Sequence, residues 1–309
     1  MKKALIIGIN GNFGSEMSKA LLSRGWQLKV LLRDPAKKPD WLPGSSTVIA
    51  GAAEDEQLVA EAAKNTDLIV YAANPPYHQW HQLAMKTLEP SVKAAEQYGI
   101  RLLFPGNVYA FAPSESPINE NTPMQPPTDK GEIRQRMENR LLQASKQGAK
   151  VLIVRAGDFI SPDSADTWFS RIIKKHRSGI KLALPHNSQH VHFWCYLPDL
   201  CANSAELLDS PLPDWQVLHD PGLTLDKSDW LEACHRLGLP VKVSAFPWWF
   251  ISLAALFSPL LREVNKMRYL WQQPVLLDGR EWQKQQNGKL QHTPFDQILK
   301  RWLEDNSGR

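Results

Sequence analysis

Gly8, Gly11 and Gly14 stand directly behind the apolar run Ala4-Leu5-Ile6-Ile7 and directly ahead of a helical pattern. Glycines at this spacing let the backbone turn sharply and approach a pyrophosphate. The helix that follows offers unpaired N–H groups and the positive end of its dipole to phosphate charge. With Asn10, Asn12 and Phe13 completing the turn, the segment reads as a dinucleotide phosphate site. A second apolar strand, Leu28 to Leu32, ends at Arg33, where an acidic residue would normally hold a ribose 2′-hydroxyl. A guanidinium there pairs with the 2′-phosphate of NADP(H), so NADP(H) is expected over NAD(H). Asp34 next door keeps the NAD(H) reading open.

The elements that must position these residues follow a strand–helix rhythm. Strands are expected at 4–8, 27–32, 46–50, 67–72, 101–105 and 150–155, and helices at about 13–24, 56–64, 80–98 and 131–147. The last helix carries Ile133, Met137, Leu141 and Ala144 along one face and stops at Gly148. This alternation predicts an α/β chain with helices on both faces of a parallel sheet. Such a sheet binds ligands at the carboxyl ends of its strands. Attention therefore falls on Arg33, on Ala72-Ala73-Asn74, on Pro105-Gly106-Asn107 and on Gly157-Asp158-Phe159. From about residue 161 prolines and tryptophans accumulate, which suggests a smaller, mainly C-terminal substrate lobe over 161–309 beside a nucleotide domain over 1–160. A further strand at about 215–222 is expected to return to that domain.

Composition narrows the function classes. The chain has 309 residues, 43% of them hydrophobic and 22% charged, with a net charge of +4, which suits a folded globular protein. Basic residues are dispersed, and the densest run, Lys174-Lys175-His176-Arg177, reads as the C-terminal end of a helix before Gly179, so nucleic acid is not expected as a partner. Cys195, Cys201 and Cys234 have neither the count nor the spacing of a disulfide framework or a zinc site and suit a reduced compartment. The opening Met1-Lys2-Lys3 is followed by too short an apolar run for a secretory signal, and a cytoplasmic location is expected. Residues 246–261 are apolar and aromatic but hold two prolines and are too short to span a bilayer. They read as a buried helix or subunit contact, as in a homodimer, with interfacial membrane contact as the alternative.

Several landmarks occur in a telling order. They are the Gly8, Gly11, Gly14 fingerprint, Ala72-Ala73, Val108-Tyr109, Asn119-Glu120-Asn121-Thr122-Pro123, Arg155 through Pro162, and Tyr196-Leu197-Pro198-Asp199-Leu200. In this order the chain resembles the extended or atypical short-chain dehydrogenase/reductase superfamily, of the NAD-dependent epimerase/dehydratase type. Leu32-Arg33-Asp34-Pro35 also resembles its NmrA-type, NADP-preferring members. The resemblance implies a Rossmann-type doubly wound parallel sheet with a smaller substrate lobe, a small-molecule substrate, and an oxidoreductase or nucleotide-sugar epimerase activity. Active members of that superfamily use a Ser or Thr and a Tyr-x-x-x-Lys pair on one helix. Here the alignment on Pro126-Pro127-Thr128-Asp129-Lys130-Gly131 places Lys130 at the tyrosine and Arg134 at the lysine, and Pro105-Gly106-Asn107 stands where the Ser or Thr precedes Val-Tyr. The tyrosine-dependent chemistry is therefore not expected.

Lys130-Gly131-Glu132-Ile133-Arg134 resembles a Lys-Gly-x-x-Arg variant of atypical members. Two cations one helical turn apart repel each other, which favours proton release from the lysine. They would equally hold an anionic ligand, or stand as solvated cations near a helix N-terminus. Tyr109 could offer a phenol to the cleft, although the resemblance implies a mainly structural role for it. Asp158 reads as a loop carboxylate bonded to backbone N–H groups, or as a residue lining the cleft. His190 and His192 share a face of a possible strand but lack a third ligand, and no metal site is expected. Asp199 reads as a helix cap. Glu263, Arg268, Trp271 and Asp278 fall in the substrate lobe without a readable role. The alternative to an enzyme is a non-catalytic NADP(H)-sensing regulatory protein.

Overall fold

The computed structural model describes residues 1–114, 116–161, 167–176, 179–185 and 190–305. Pro162 and Arg177, named above, lie outside these residues.

The first half alternates β1 (Lys3–Ile7), α1 (Asn12–Ser23), β2 (Gln27–Leu32), β3 (Thr47–Ala50), α2 (Glu56–Ala63), β4 (Leu68–Tyr71), α3 (Trp80–Tyr98), β5 (Arg101–Gly106), α4 (Asp129–Lys146) and β6 (Lys150–Arg155). Ala4 to Ile7 and Leu68 to Tyr71 are buried along their whole length, as continuous apolar strands must be when helices cover both faces of a sheet. After β7 (Asp158–Ile160) come α5 (Trp168–Ile172), β8 (Ile173–His176), β9 (Gly179–Leu184), β10 (His192–Tyr196), α6 (Leu197–Leu207) and β11 (Trp215–His219). The chain continues through β12 (Leu223–Leu225), α7 (Lys227–Arg236), β13 (Val241–Ala245), α8 (Trp248–Ala254), α9 (Pro259–Lys266), α10 (Arg280–Gln285) and α11 (Phe295–Asp305).

A seven-stranded sheet runs in the order β11-β6-β5-β4-β1-β2-β3, and the pairings from β6 through β3 are parallel. The order reverses at β1, so the carboxyl end of β1 opens at a topological switch point. Two compact units emerge. The first comprises 1–110, 124–155 and 200–218; the second comprises 111–123, 156–199 and 219–309. The second unit contains the three-stranded sheets β12-β10-β7 and β13-β9-β8. Its core is aromatic: Phe169 packs 5.6 Å from Trp230, and Trp230 lies edge-on to Phe295 at 4.8 Å.

The helix end expected at Lys174 to His176 is overturned. Lys174, Lys175 and His176 do not close a helix; they form β8 and pair antiparallel with β9 across Lys174↔Lys181 and Lys175↔Ile180. Ile173, Ile180 and Leu182 are buried while Lys174, Lys175, His176 and Lys181 are exposed, so burial alternates along β9, and β8 pairs with it while its own cations stay in solvent.

Candidate functional site: a glycine cradle and a buried lysine

At the carboxyl end of β1 the backbone does what only glycine allows. Gly8 adopts φ +98° and a Cβ there would lie 2.6 Å from the Ala72 carbonyl, at the end of β4; a Cβ on Gly14 would lie 2.1 Å from the Gly8 oxygen. The turn is closed by the Gly11 N–H donating to the Gly8 carbonyl at 3.0 Å. Gly11 is the N-cap of α1, no side chain caps the helix, and its first turn holds no acid. Its leading N–H groups therefore remain available to an anion. Close-packed backbone, a helix dipole and an uncapped N-terminus fit the diphosphate of a dinucleotide.

The neighbouring residues divide between backbone and side-chain roles. Phe13 is buried in the core, so its ring is turned away from the turn's exposed side and it can offer a ligand only its backbone. The Asn10 amide donates to the Lys37 carbonyl at 3.1 Å, which ties the turn to the segment after β2. The Ala72 N–H donates to the Ile7 carbonyl at 2.8 Å, setting Ala72-Ala73 against the glycine turn with Asn74 just beyond. Phe159 belongs to β7 in the second unit.

Arg33, just past β2, is 69% exposed and gives one Nη to Glu54 Oε1 at 2.8 Å. The pairing of β2 with β3 sets Leu32 opposite Ala50, so the segments leaving both strands meet although 21 residues separate the partners. Asp34 instead accepts from the Ala36 N–H at 3.0 Å and caps a short turn. Glu54 was not singled out from the sequence, since nothing local to it signals the pairing.

The Lys130 region differs from the solvated reading. Thr128 caps α4 by accepting from the Gly131 N–H at 3.2 Å. A Cβ on Gly131 would lie 2.1 Å from the Tyr109 carbonyl oxygen, so glycine lets the helix start press onto the chain leaving β5. Lys130 is thereby fully enclosed, at 0% exposure, with its Nζ 3.9 Å from Asp129 Oδ2. The same Asp129 oxygen lies 2.9 Å from His81 Nε2, and His81 is exposed. A file of ionisable groups thus runs from the surface through His81 and Asp129 to Lys130.

Arg134, one turn on, is also buried. Its Nη2 donates to the Pro105 carbonyl, and its guanidinium lies 4.4 Å from the centre of the Phe104 ring. Burial pulls its pKa below the ordinary arginine value, with Glu138 opposing the shift. Glu138, another turn along, bonds Arg155 across the helix–sheet contact at 2.5 Å. Lys130, Arg134 and Glu138 therefore form a buried charged stripe at four-residue spacing; Glu138 was legible by that spacing and missed. Tyr109 is buried, and its hydroxyl lies 2.8 Å from that of Tyr77, which local sequence does not foretell. Trp80 packs edge-on to Tyr77 at 5.1 Å.

In the second unit, Asp158 opens β7 and meets His192 Nε2 at 2.7 Å, while His192 Nδ1 faces the Leu270 carbonyl at 3.2 Å. This corrects the expected backbone partners of Asp158. Both imidazole nitrogens have partners, and the ring stacks on Trp271 at 3.6 Å. Asp199 lies in the first turn of α6, but its carboxylate accepts the Thr293 N–H and hydroxyl, so it ties down a distant segment instead of capping its own helix. Arg268 lies over Trp248 at 5.3 Å, Glu263 pairs with Lys266 at 2.9 Å, and Asp278 pairs with Arg280. Leu184, His190, Lys227, Trp248, Arg268 and Trp271 help line a cavity of about 740 Å³ in this unit.

Against known proteins, residues 8–175 match the family described as NAD(P)H-binding. No curated protein matches the sequence. Among solved structures, the chain is similar to Thermus thermophilus UDP-glucose 4-epimerase in complex with NAD, with a TM-score of 0.72 and 16% identity over 97% of this chain and 98% of that one. It is similar to dTDP-glucose 4,6-dehydratase from Streptomyces venezuelae with NAD bound, with a TM-score of 0.73 and 17% identity over 99% and 98% of the two chains. It also resembles a short-chain dehydrogenase/reductase superfamily protein from Agrobacterium tumefaciens with bound NAD, with a TM-score of 0.73 and 14% identity over 99% and 98%. With the glycine cradle at the switch point of a parallel sheet and more than half the chain matched, this protein belongs to the NAD(P)H-binding family and has the fold of the short-chain dehydrogenases/reductases.

Proposed function

We propose that this protein is an NADP(H)-dependent oxidoreductase or epimerase of the atypical short-chain type, in which Lys130 takes the place of the usual tyrosine. The observation that carries the proposal is the fully buried Lys130 joined through Asp129 to exposed His81. Burying an ammonium is costly without a partner or a task, and a carboxylate 3.9 Å away with an imidazole behind it supplies a route for proton exchange with solvent. The glycine cradle and the α1 N-terminus would hold the cofactor diphosphate. Arg33 would meet the 2′-phosphate, and Asp34, already engaged as a cap, does not compete for the ribose.

When bound, the nicotinamide supplies or accepts a hydride at the substrate carbon. In the reducing direction Lys130, once substrate binding opens the enclosure around it, would give its proton to the substrate carbonyl oxygen, leaving an alcohol and a neutral amine that Asp129 and His81 reprotonate from water. In the oxidising direction the same groups carry the proton outward. Arg134, locked onto Pro105 and Phe104, would hold the helix and the strand end in register instead of contacting substrate. The sugar-nucleotide enzymes among the similar folds support a nucleotide-linked sugar as the substrate class.

The test is turnover, followed by nicotinamide absorbance and product formation across carbonyl and nucleotide-sugar panels, for wild type, Lys130→Ala and His81→Ala. Lys130→Ala is expected to lower kcat about 100-fold or more with cofactor affinity nearly unchanged. His81→Ala should slow turnover in a manner rescued by imidazole. Absence of turnover on both panels, with tight cofactor binding, favours the sensor reading. A large loss of cofactor affinity in Lys130→Ala would assign that lysine to the cofactor itself.

A further inference from the structure

The segment 246–261, expected to be a buried helix or a subunit contact with interfacial membrane contact as the alternative, folds as two short helices, α8 and α9, and Ser258 caps α9 ahead of Pro259. One side of this hairpin faces inward: Trp248 and Ile251 are buried, and Trp248 Nε1 donates to the Pro185 carbonyl at 2.8 Å. The other side does not. Trp249, Phe250, Leu253, Leu256, Phe257 and Leu260 are exposed, Trp249 by 73% and Phe257 by 86%. Six of the ten large apolar side chains exposed among the described residues thus fall within twelve positions. Scattered apolar side chains on a surface need no explanation, but such a concentration does.

The charges around this ridge select what covers it. Between Val241 and Leu277 the cations are Lys242, Arg262, Lys266 and Arg268, and the sole carboxylate is Glu263, which already pairs with Lys266. One of the cations is fixed beside the ridge: Arg262 Nε donates to the Ala255 carbonyl at 3.4 Å, whereas Arg268 lies over Trp248 on the inward side. A second copy meeting this face about a two-fold axis would set like charges against each other, and Glu263, the one acid of the segment, is already paired. A phospholipid surface of negative charge answers both features. Indoles and phenyl rings favour the boundary between headgroups and acyl chains, and a basic rim is drawn to anionic lipid. With helices of seven and eight residues, the hairpin reaches only about 12 Å per helix and lies in the interface without crossing it.

We propose that the α8–α9 hairpin is a peripheral attachment site for anionic phospholipid membranes. It docks with Trp249, Phe250, Leu253, Leu256, Phe257 and Leu260 among the headgroups and with Arg262 and Lys266 against lipid phosphate.

The experiment is co-sedimentation of the full chain with vesicles of phosphatidylcholine alone and of phosphatidylcholine mixed with phosphatidylglycerol, at low and high salt. The wild type is expected to partition at least about tenfold more strongly onto the anionic vesicles, with the preference falling as salt rises. Trp249→Glu combined with Phe257→Glu should abolish partitioning. Arg262→Gln combined with Lys266→Gln should remove the preference for anionic lipid. Circular dichroism and cofactor titration serve as controls that each variant is folded. Equal recovery of wild type and the glutamate variant with vesicles, or no partitioning of the wild type, overturns the proposal. A wild-type dimer in sedimentation velocity that the glutamate variant turns into a monomer, without vesicle binding, makes a second copy the occupant and also overturns it.

Discussion

Glu54 holds the Arg33 guanidinium at 2.8 Å, so the cation proposed to meet a cofactor 2′-phosphate already pairs with a carboxylate of this chain. A 2′-phosphate must share that guanidinium, whose remaining donors face solvent, and must tolerate the carboxylate beside it. Arg33→Ala is therefore expected to weaken NADPH binding about 10- to 100-fold, the worth of a charge-assisted contact, while changing NADH binding little. Glu54→Gln should strengthen NADPH binding several-fold without helping NADH, because it removes only the repulsion. Isothermal calorimetry with both cofactors decides; equal losses in Arg33→Ala would end the NADP(H) assignment.

The start of α4 rests on the Tyr109 carbonyl through a glycine that leaves no room for a methyl group. Gly131→Ala places a Cβ against backbone, which cannot step aside as a side-chain end can. It should cost about 1–3 kcal/mol, the range for overpacking, and lower the thermal midpoint. Because Lys130 precedes it, the same change should reduce turnover beyond the stability loss. An unaltered melting curve would show that the helix start can shift freely.

Asp220 makes the stability of the fold depend on pH. Burial raises its pKa from 3.8 to about 6, although the Cys195 thiol and the Gly222 N–H bond to its carboxylate. The folded state thus holds this proton more tightly than the unfolded chain does. Its contribution to stability is fully present below pH 3.8 and lost as pH rises through about 6. The change is at most roughly 3 kcal/mol. Wild type should therefore gain thermal stability relative to Asp220→Asn as pH falls from 7 to 4. Parallel melting-temperature curves for the two proteins across that range would show that Asp220 ionises normally.

Much of the first unit was legible because its signals are local. Apolar runs such as Leu68 to Tyr71 announce strands buried on both faces, the spacing of Ile133, Met137 and Leu141 announces a helix face, and Gly8 and Gly14 mark where backbone must pass close to backbone. The same local logic failed at Lys174 to His176. A basic run before a glycine suits a helix end, but β9 was the partner that made it a strand.

The sequence by itself determined the alternation of strands and helices and the glycine cradle, since each depends on residue types a few positions apart. Tertiary structure decided the rest: that Glu54 answers Arg33, that His81 and Asp129 connect Lys130 to the surface, that His192 is held by Asp158 and Trp271, and that the apolar hairpin turns one face outward. These depend on which distant segments the sheet order and helix packing bring within hydrogen-bond or van der Waals reach, and chain-local periodicity carries no record of that.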